Sequence, residues 1–401
     1  MKILIVGGGA AGLMAGGLLC NKGKDVVIVD KNEKCGKKIY ITGKGRCNLT
    51  NNCSNEEFLT NVVHGDKFLM SAINQFSTND TMEFFQNLGL KLKTERGNRV
   101  FPESDKASDV TKYLLKNAQN CKIVLNEEVV SIVKNEDYFI VKTNKSSYQV
   151  DKVIIATGGR SYPATGSTGD GYKFAKCLGI NTIPTKSALV PIKLKDKFCS
   201  SLEGLSLKNV TLKAEIGNKS KDLFGEMLFT YDAISGPIAL SLSSFIRDEK
   251  NIKLYLDFKP ALDEEKLKNR LEREYKENLN KSILNVVKNL LPHRMAEVFL
   301  DALKINKEIK INSLTKELRT KILYSLKNFE LTFDKLYPIE AGIVTSGGVD
   351  LKEINPKTME SKKIKGLYFI GEVLDVDCLT GGFNLQSCFS TAFACAQHID
   401  L

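Results

Sequence analysis

Six residues near the N-terminus have the types and spacing to hold a phosphate: Gly7-Gly8-Gly9-Ala10-Ala11-Gly12. In a Gly-x-Gly-x-x-Gly turn the first glycine allows a tight bend. The second lets a pyrophosphate approach the backbone, and the third lets helix and strand pack closely. Asp30 follows Gly12 by eighteen residues, the distance at which an acidic side chain can accept hydrogen bonds from ribose hydroxyls. Alone the glycines are a weak sign. Their value comes from the elements around them. Lys2–Val6 is an apolar run that reads as a buried strand, and Leu13–Cys20 is small and apolar enough for a close-packed helix stopped at Gly23. Asp25–Val29 is a second buried strand ending at Asp30. Strand, glycine turn, helix, strand and acid lie in one βαβ unit, which predicts dinucleotide binding with Gly7, Gly9, Ala11, Gly12, Asp30 and Lys31 at the ligand.

A second loop rich in glycine and basic residues comes next, from Lys37 to Asn51. Lys38 and Arg46 could pair with phosphate, and the amides of Asn48 and Asn51 could meet flavin or ribose edges. Gly45 and Cys47 complete the stretch. Further on, Val129–Val133 is strand-like and could pass an adenine with its backbone, with Val129 the candidate contact. Val153–Ile155 is an apolar strand that ends in Ala156-Thr157-Gly158-Gly159. Small residues at a strand's C-terminal end let the backbone crowd a ligand at the edge of an open α/β sheet. Gly366–Ile370 is a last strand leading into Gly371-Glu372-Val373-Leu374-Asp375, and Gly381-Gly382-Phe383-Asn384-Leu385-Gln386 opens a final helix.

Other chemistry is excluded by spacing. Cys35, Cys47 and Cys53 form neither a Cys-x-x-Cys nor a Cys-x-x-x-x-Cys pair, so dithiol redox chemistry is not expected. Zinc is not expected either: His64, His293 and His398 are far apart, and each reads as an ordinary surface or capping residue. Ten scattered cysteines without a framework, and no export signal, favour reduced thiols in a cytosol. No apolar run approaches the roughly 20 residues needed to span a membrane.

The 401 residues exceed what one core usually serves. The expected organisation is α/β: a Rossmann-like domain built from both chain ends, 1–187 and 340–401. A β-rich domain, 188–260 and 329–339, is inserted between them, its alternating segments indicating antiparallel strands with one solvated face. Within it, 261–328 is charged and helical and reads as a small separate subdomain. Ser108 is expected to cap a helix reaching Ala118. The net charge of +11 raises the question of nucleic acid. The excess is mostly lysine, spread thinly, without tryptophan or an arginine cluster. Nucleic acid is therefore not the expected partner.

Together Gly7–Gly12, Gly43–Asn51, Val153–Gly159 and Gly366–Gln386 resemble the two-dinucleotide-binding-domain flavoproteins. More narrowly the chain is similar to the BaiN/RdsA-like (YhiN-type) family of NAD(P)/FAD-dependent oxidoreductases, over essentially its whole length. Gly45-Arg46-Cys47-Asn48 combined with Thr380–Gln386 carries the likeness. The resemblance implies noncovalent FAD, with Glu372 or Asp375 on the ribityl chain where related flavoproteins have Gly-Asp. It also implies that the helix opening at Gly382, Phe383, Asn384 and Leu385 aims its N-terminus at the flavin N1/C2 carbonyl edge. The implied activity is reduction of an activated double bond in a small organic substrate, with NAD(P)H as a transient electron donor. A flavin amine oxidase using O2 (aminoacetone-oxidase-like) is the alternative, and a flavin-containing RNA-binding or sensor protein is the alternative of another class. The family tends to carry Thr-His-x-Gly-x-Ser-Gly-Pro; here Tyr231 replaces the His and Ala233 the Gly, with Cys378 and Ile180 as further departures. Tyr231 is the candidate catalytic residue, although a phenol with a reference pKa of about 10 is a poor acid near neutrality.

Overall fold

The structure is a computed structural model that describes residues 1–247 and 251–400. It divides into two compact units, Met1–Ala188 together with the segment from Pro338 onward, and Leu189–Tyr337.

The first unit is built on a five-stranded parallel sheet. Its strands run in the order Leu367–Phe369, Lys152–Ile155, Lys2–Val6, Asp25–Val29, Lys122–Val124. These strands are near-continuous apolar runs because both faces of the sheet are covered. Ile3, Leu4, Ile5, Ile28, Ile154 and Phe369 have no exposed surface. Lys2–Val6 lies in the middle, where successive connections leave in opposite directions. The C-terminal end of such a strand is the crevice in which open α/β sheets bind ligands. The helix Ala10–Asn21 starts there and packs against the last helix, Phe383–His398. An antiparallel meander, Val129–Lys134, Phe139–Thr143 and Ser147–Val150, adds to this unit. So do two short strand pairings: Thr50–Asn51 with Arg99–Pro102, and Val62–His64 with Asp377–Cys378.

The expected helix near Ser108 is present as Ala107–Asn117, but Lys106 occupies its cap position and Ser108 lies inside the helix. The aliphatic face of the helix, with Val110 and Leu114 fully buried, sets where it docks, and the start lies two residues earlier than a capping serine would put it.

The second unit holds a seven-stranded antiparallel sheet, in which Ser206–Ile216 and Lys219–Phe229 form a long hairpin. Pro237–Ile246 and Lys316–Lys327 pack on it, and Glu264–Glu277, Ile283–Lys288 and His293–Ala302 join the same core. The division of 261–328 into a separate subdomain is not what the packing gives. Phe258 from the end of a strand, Phe299 from a helix and Phe329 from the next strand meet with ring centroids 5.6–6.1 Å apart. Helices and sheet therefore share one core. A charge-rich helix can still bury a narrow apolar stripe, and Leu267, Leu271 and Tyr275 are that stripe.

Candidate active site

The glycine turn is fixed by close approach on two sides. A Cβ on Gly7, whose φ is +105°, would sit 2.6 Å from the Ala156 carbonyl oxygen, and one on Gly12 would sit 1.9 Å from the Gly7 oxygen. Gly9 is different. A Cβ there would meet nothing within 4 Å, although Gly9 caps the helix Ala10–Asn21 and no side chain fills the cap. The turn is therefore packed tightly from behind and open in front, where the first N–H groups of a twelve-residue helix have no intrahelical acceptor.

Asp30 is held next to this opening. Its Oδ2 accepts from Gly8 N at 2.7 Å, and its Oδ1 accepts from Asn32 N and Nδ2 at 2.8 and 2.9 Å. A carboxylate offers about four acceptor positions, so about one remains for a ribose hydroxyl. Glu127 N donates to the Asp30 carbonyl at 3.1 Å, which brings the buried Val129 segment to the same end of the site. Lys31 goes elsewhere: its ammonium lies 2.5 Å from Asp170 Oδ2 and donates to Thr168 Oγ1.

The opposite wall comes from the end of the chain. Gly371 N donates to Thr391 Oγ1 at 3.0 Å, and a Cβ on Gly371 would lie 3.0 Å from Ala11 Cβ, so this strand end and the first helix touch. Glu372 projects from there into a polar cluster. Its Oε1 accepts from Thr345 N at 2.9 Å and lies 3.2 Å from Ser161 Oγ, and Lys38 Nζ reaches both carboxylate oxygens at 3.0 and 2.8 Å. Ser161 Oγ accepts from Lys38 at 2.6 Å. Lys38, expected on a phosphate, is instead partnered to Glu372, because a largely buried carboxylate recruits a cation. A Cβ on Gly159 would come within 2.9 Å of Glu372 Oε1, while Gly158 adopts φ +71°. Thr157 Oγ1 beside them is buried without a partner. The Tyr172 hydroxyl is likewise buried without a partner; burial, and then the Glu372 charge, push this phenol far above its usual range. Asp375 is 6% exposed and is engaged by His64 Nε2 at 3.0 Å.

The third wall is the loop Gly43–Asn51 locked to the last helix. A Cβ on Gly382 would lie 2.3 Å from the Thr50 carbonyl oxygen. Fully buried Gln386 accepts from Thr50 Oγ1 at 2.5 Å and donates to Phe76 O, Ser77 O and Ser390 Oγ at 3.3, 3.1 and 3.0 Å. Asn51 Nδ2 donates to Gly381 O and Gly97 O at 3.0 and 3.1 Å, so its amide ties loops together. Asn384 clasps its own loop, accepting from Cys378 N at 3.0 Å and donating to Cys378 O at 2.9 Å. Phe383 is buried edge-on to Phe58, and Leu385 is half-buried. The N–H groups of this first turn have no intrahelical acceptor and carry the positive end of a sixteen-residue helix.

Within the loop itself, Gly45 has φ +85° and Cys47 φ +60°. Cys47 is fully buried, and burial pushes its thiol up to about 12. Asn48 Oδ1 is buried without a partner. Arg46 does not reach toward phosphate: it ion-pairs with Glu95 and Asp105, and its guanidinium stacks 4.3 Å from the Phe101 ring centre. Two acids close by satisfy an arginine more completely than a single phosphate edge would.

Tyr231 belongs to the second unit, where it is 67% exposed in the turn Thr230–Ala233 closed by a 2.8 Å hydrogen bond from Thr230 N to Ala233 O. Its neighbour Asp232 accepts from Tyr337 Oη at 2.5 Å and pairs with Lys193 at 2.9 Å, and these two hold its carboxyl below the usual range. The contacts of Ser161, Thr345, Tyr172 and Gln386 carried no sequence signal, and His64 read as an ordinary surface residue. No spacing rule links position 64 to 375.

FAD fits this arrangement. The open space in front of Gly9 and two helix N-termini offer donors for phosphate, and the buried Asn48 Oδ1 lacks the donor that a ring N–H or hydroxyl could supply.

A parallel sheet with a phosphate turn at its switch point, completed by the chain's own C-terminal segment, defines a dinucleotide-binding protein of the Rossmann type. Residues 1–398 match the HI0933-like protein Rossmann domain, and the chain belongs to that family. It is 32% identical to a ribosomal RNA dihydrouridine synthase of Haemophilus influenzae, over 99% of this chain and 98% of that one. It is 30% identical to a 3-dehydro-bile acid delta(4,6)-reductase of Clostridium scindens, over 98% and 97%. Among solved structures, a 3-ketosteroid-delta4-(5alpha)-dehydrogenase from Rhodococcus jostii shares the fold with a TM-score of 0.54 at 13% identity, covering 100% of this chain and 97% of that one. The protein is an FAD-dependent oxidoreductase.

Proposed function

We propose that this protein reduces a carbon–carbon double bond conjugated to a carbonyl, and that its substrate is a uracil ring in ribosomal RNA. The reading rests on one chemical fact common to two relatives that match end to end. A dihydrouridine synthase saturates the C5–C6 bond of uracil, and a delta(4,6)-reductase saturates an enone-type bond. In both, hydride adds to the carbon β to a carbonyl and a proton to the α carbon. The ribosomal RNA reading is favoured over a steroid-like one because two of the relatives that match end to end, at 32% and 31% identity, are named ribosomal RNA dihydrouridine synthases, against one named as a bile acid reductase. That choice departs from the small organic substrate expected from sequence.

FAD, when bound noncovalently, supplies hydride transfer, with NAD(P)H as the electron donor. The chain's residues bind and orient. The helix N-terminus behind Gly9 receives the pyrophosphate, and the remaining acceptor position of Asp30 takes a ribose hydroxyl. Glu372, fixed by Lys38, Ser161 and Thr345, presents its carboxylate to the ribityl hydroxyls. The N-terminus of Phe383–His398 places positive potential where negative charge collects on the flavin ring. Tyr231 is the candidate proton donor in the position where the family tends to have His.

The test uses purified holoenzyme, NADPH or NADH, and ribosomal RNA from a strain lacking the gene. A gain of two hydrogens on a defined uridine, detected by mass spectrometry of nuclease digests, is the expected result. RNA without that gain, together with flavin that reoxidises on an enone steroid, would move the substrate to the steroid class. Flavin that neither nicotinamide bleaches, but an amine does, would overturn the reductase.

A further inference from the structure

Cys20 and Cys121 are 101 positions apart in the chain, yet their sulfurs are 2.6 Å apart. Cys20 is the penultimate residue of the helix Ala10–Asn21, and Cys121 directly precedes the edge strand Lys122–Val124. The approach is built in. Gly16 and Gly17 allow the close crossing: a Cβ on Gly16 would lie 2.7 Å from Ile28 Cδ1 and 3.4 Å from Cys121 Sγ, and one on Gly17 only 2.0 Å from Asn117 Nδ2. Asn21 Nδ2 donates to Asn117 Oδ1 at 3.3 Å, and Cys121 N donates to Ala118 O at 3.0 Å, so both backbones are held where they meet. Each cysteine is partly exposed, which gives a small oxidant access.

We propose that Cys20 and Cys121 are a redox-modification site, closed to an intrachain disulfide by hydrogen peroxide and reopened by a low-molecular-weight thiol. One thiolate attacks the peroxide O–O bond, giving a sulfenic acid and hydroxide, which takes up a proton to leave as water. The second thiol displaces hydroxide from that sulfur, forming the S–S bond and a second water. Two thiols lose two protons and two electrons, and one peroxide becomes two waters. Reduction by two equivalents of thiol reverses the change. Burial raises both thiols above their usual range, so closure is slow at neutral pH and accelerates as pH rises. The bond would fasten the phosphate-binding helix to the strand whose Val124 carbonyl accepts from Asp30 N at 2.9 Å.

The experiment treats holoenzyme with a modest excess of hydrogen peroxide, blocks free thiols with N-ethylmaleimide, and maps tryptic peptides by mass spectrometry. The expected result is one cross-linked species joining the Cys20 and Cys121 peptides, with a mass loss of about 2 Da that dithiothreitol restores. It should form faster at pH 9 than at pH 7 and persist in Cys177→Ser, which removes an exposed thiol elsewhere. Cys121→Ser should abolish it. Alkylation of both Cys20 and Cys121 in peroxide-treated wild-type protein would overturn the proposal, and that measurement needs no variant to fold.

Discussion

At the residue scale, the glycines of the phosphate turn have separable duties. Gly12 is required by the fold itself, because a methyl group 1.9 Å from the Gly7 oxygen has nowhere to go. Gly12→Ala should therefore destabilise the protein by roughly 2 kcal/mol or more, read as a lowered denaturation midpoint with or without FAD. Gly9 faces open space, so Gly9→Ala should leave the cofactor-free protein within about 0.5 kcal/mol of wild type. Its effect should fall on FAD instead, with affinity reduced about tenfold or more by fluorescence titration, since the added methyl occupies the pyrophosphate's approach. Equal losses of stability in the two variants would refute this division. The motif already gives Gly9 to the pyrophosphate and Gly12 to close packing; the structure adds that the Gly7 carbonyl is what Gly12 packs against.

At the element scale, the last helix is the part on which the site depends. Its N-terminus is aimed by Gln386, whose amide serves three partners on two distant segments and Ser390 on its own helix while wholly buried. Gln386→Ala would strand the buried Thr50 hydroxyl, at about 1–3 kcal/mol, and would empty the space its amide fills, while Phe76 O keeps Ser390 Oγ and Ser77 O keeps Thr81 N. The expected outcome is a stability loss of about 2–4 kcal/mol, and FAD bound more weakly even at temperatures where the variant stays folded. Cofactor affinity unchanged in folded Gln386→Ala would show that the helix is aimed by other contacts. Leu267, Leu271 and Tyr275 make a parallel point in the second unit. A charged helical stretch reads as a small inserted subdomain, but its apolar stripe belongs to the same core as Phe258 and Phe329 once the chain folds back.

At the scale of the whole molecule, the charge of +11 is the property that bears on the substrate. If the substrate is ribosomal RNA, lysines spread over the surface replace counterions on the phosphate backbone, and binding weakens steeply with salt. Affinity for a ribosomal RNA fragment, measured by filter binding, should fall roughly tenfold or more between about 50 and 200 mM salt. Affinity that does not change with salt, or no binding at 50 mM, would count against an RNA substrate while leaving the reductase chemistry standing.

The sequence by itself determined the class of fold and the glycine turn and helix starts within it. Gly7–Gly12, Asp30 and the run Gly371–Gln386 encode local geometry, and turns, helix starts and buried parallel strands are set by residues near one another in the chain. It did not determine where charged and polar side chains would end. Lys38 goes to Glu372, 334 positions away, Arg46 to Glu95 and Asp105, Asn51 to Gly381, and Cys20 to Cys121. A long flexible side chain takes whichever counter-charge or acceptor the fold brings within about 3 Å, and a thiol meets another only when two elements cross. Those meetings are long-range, so the tertiary structure alone decided them.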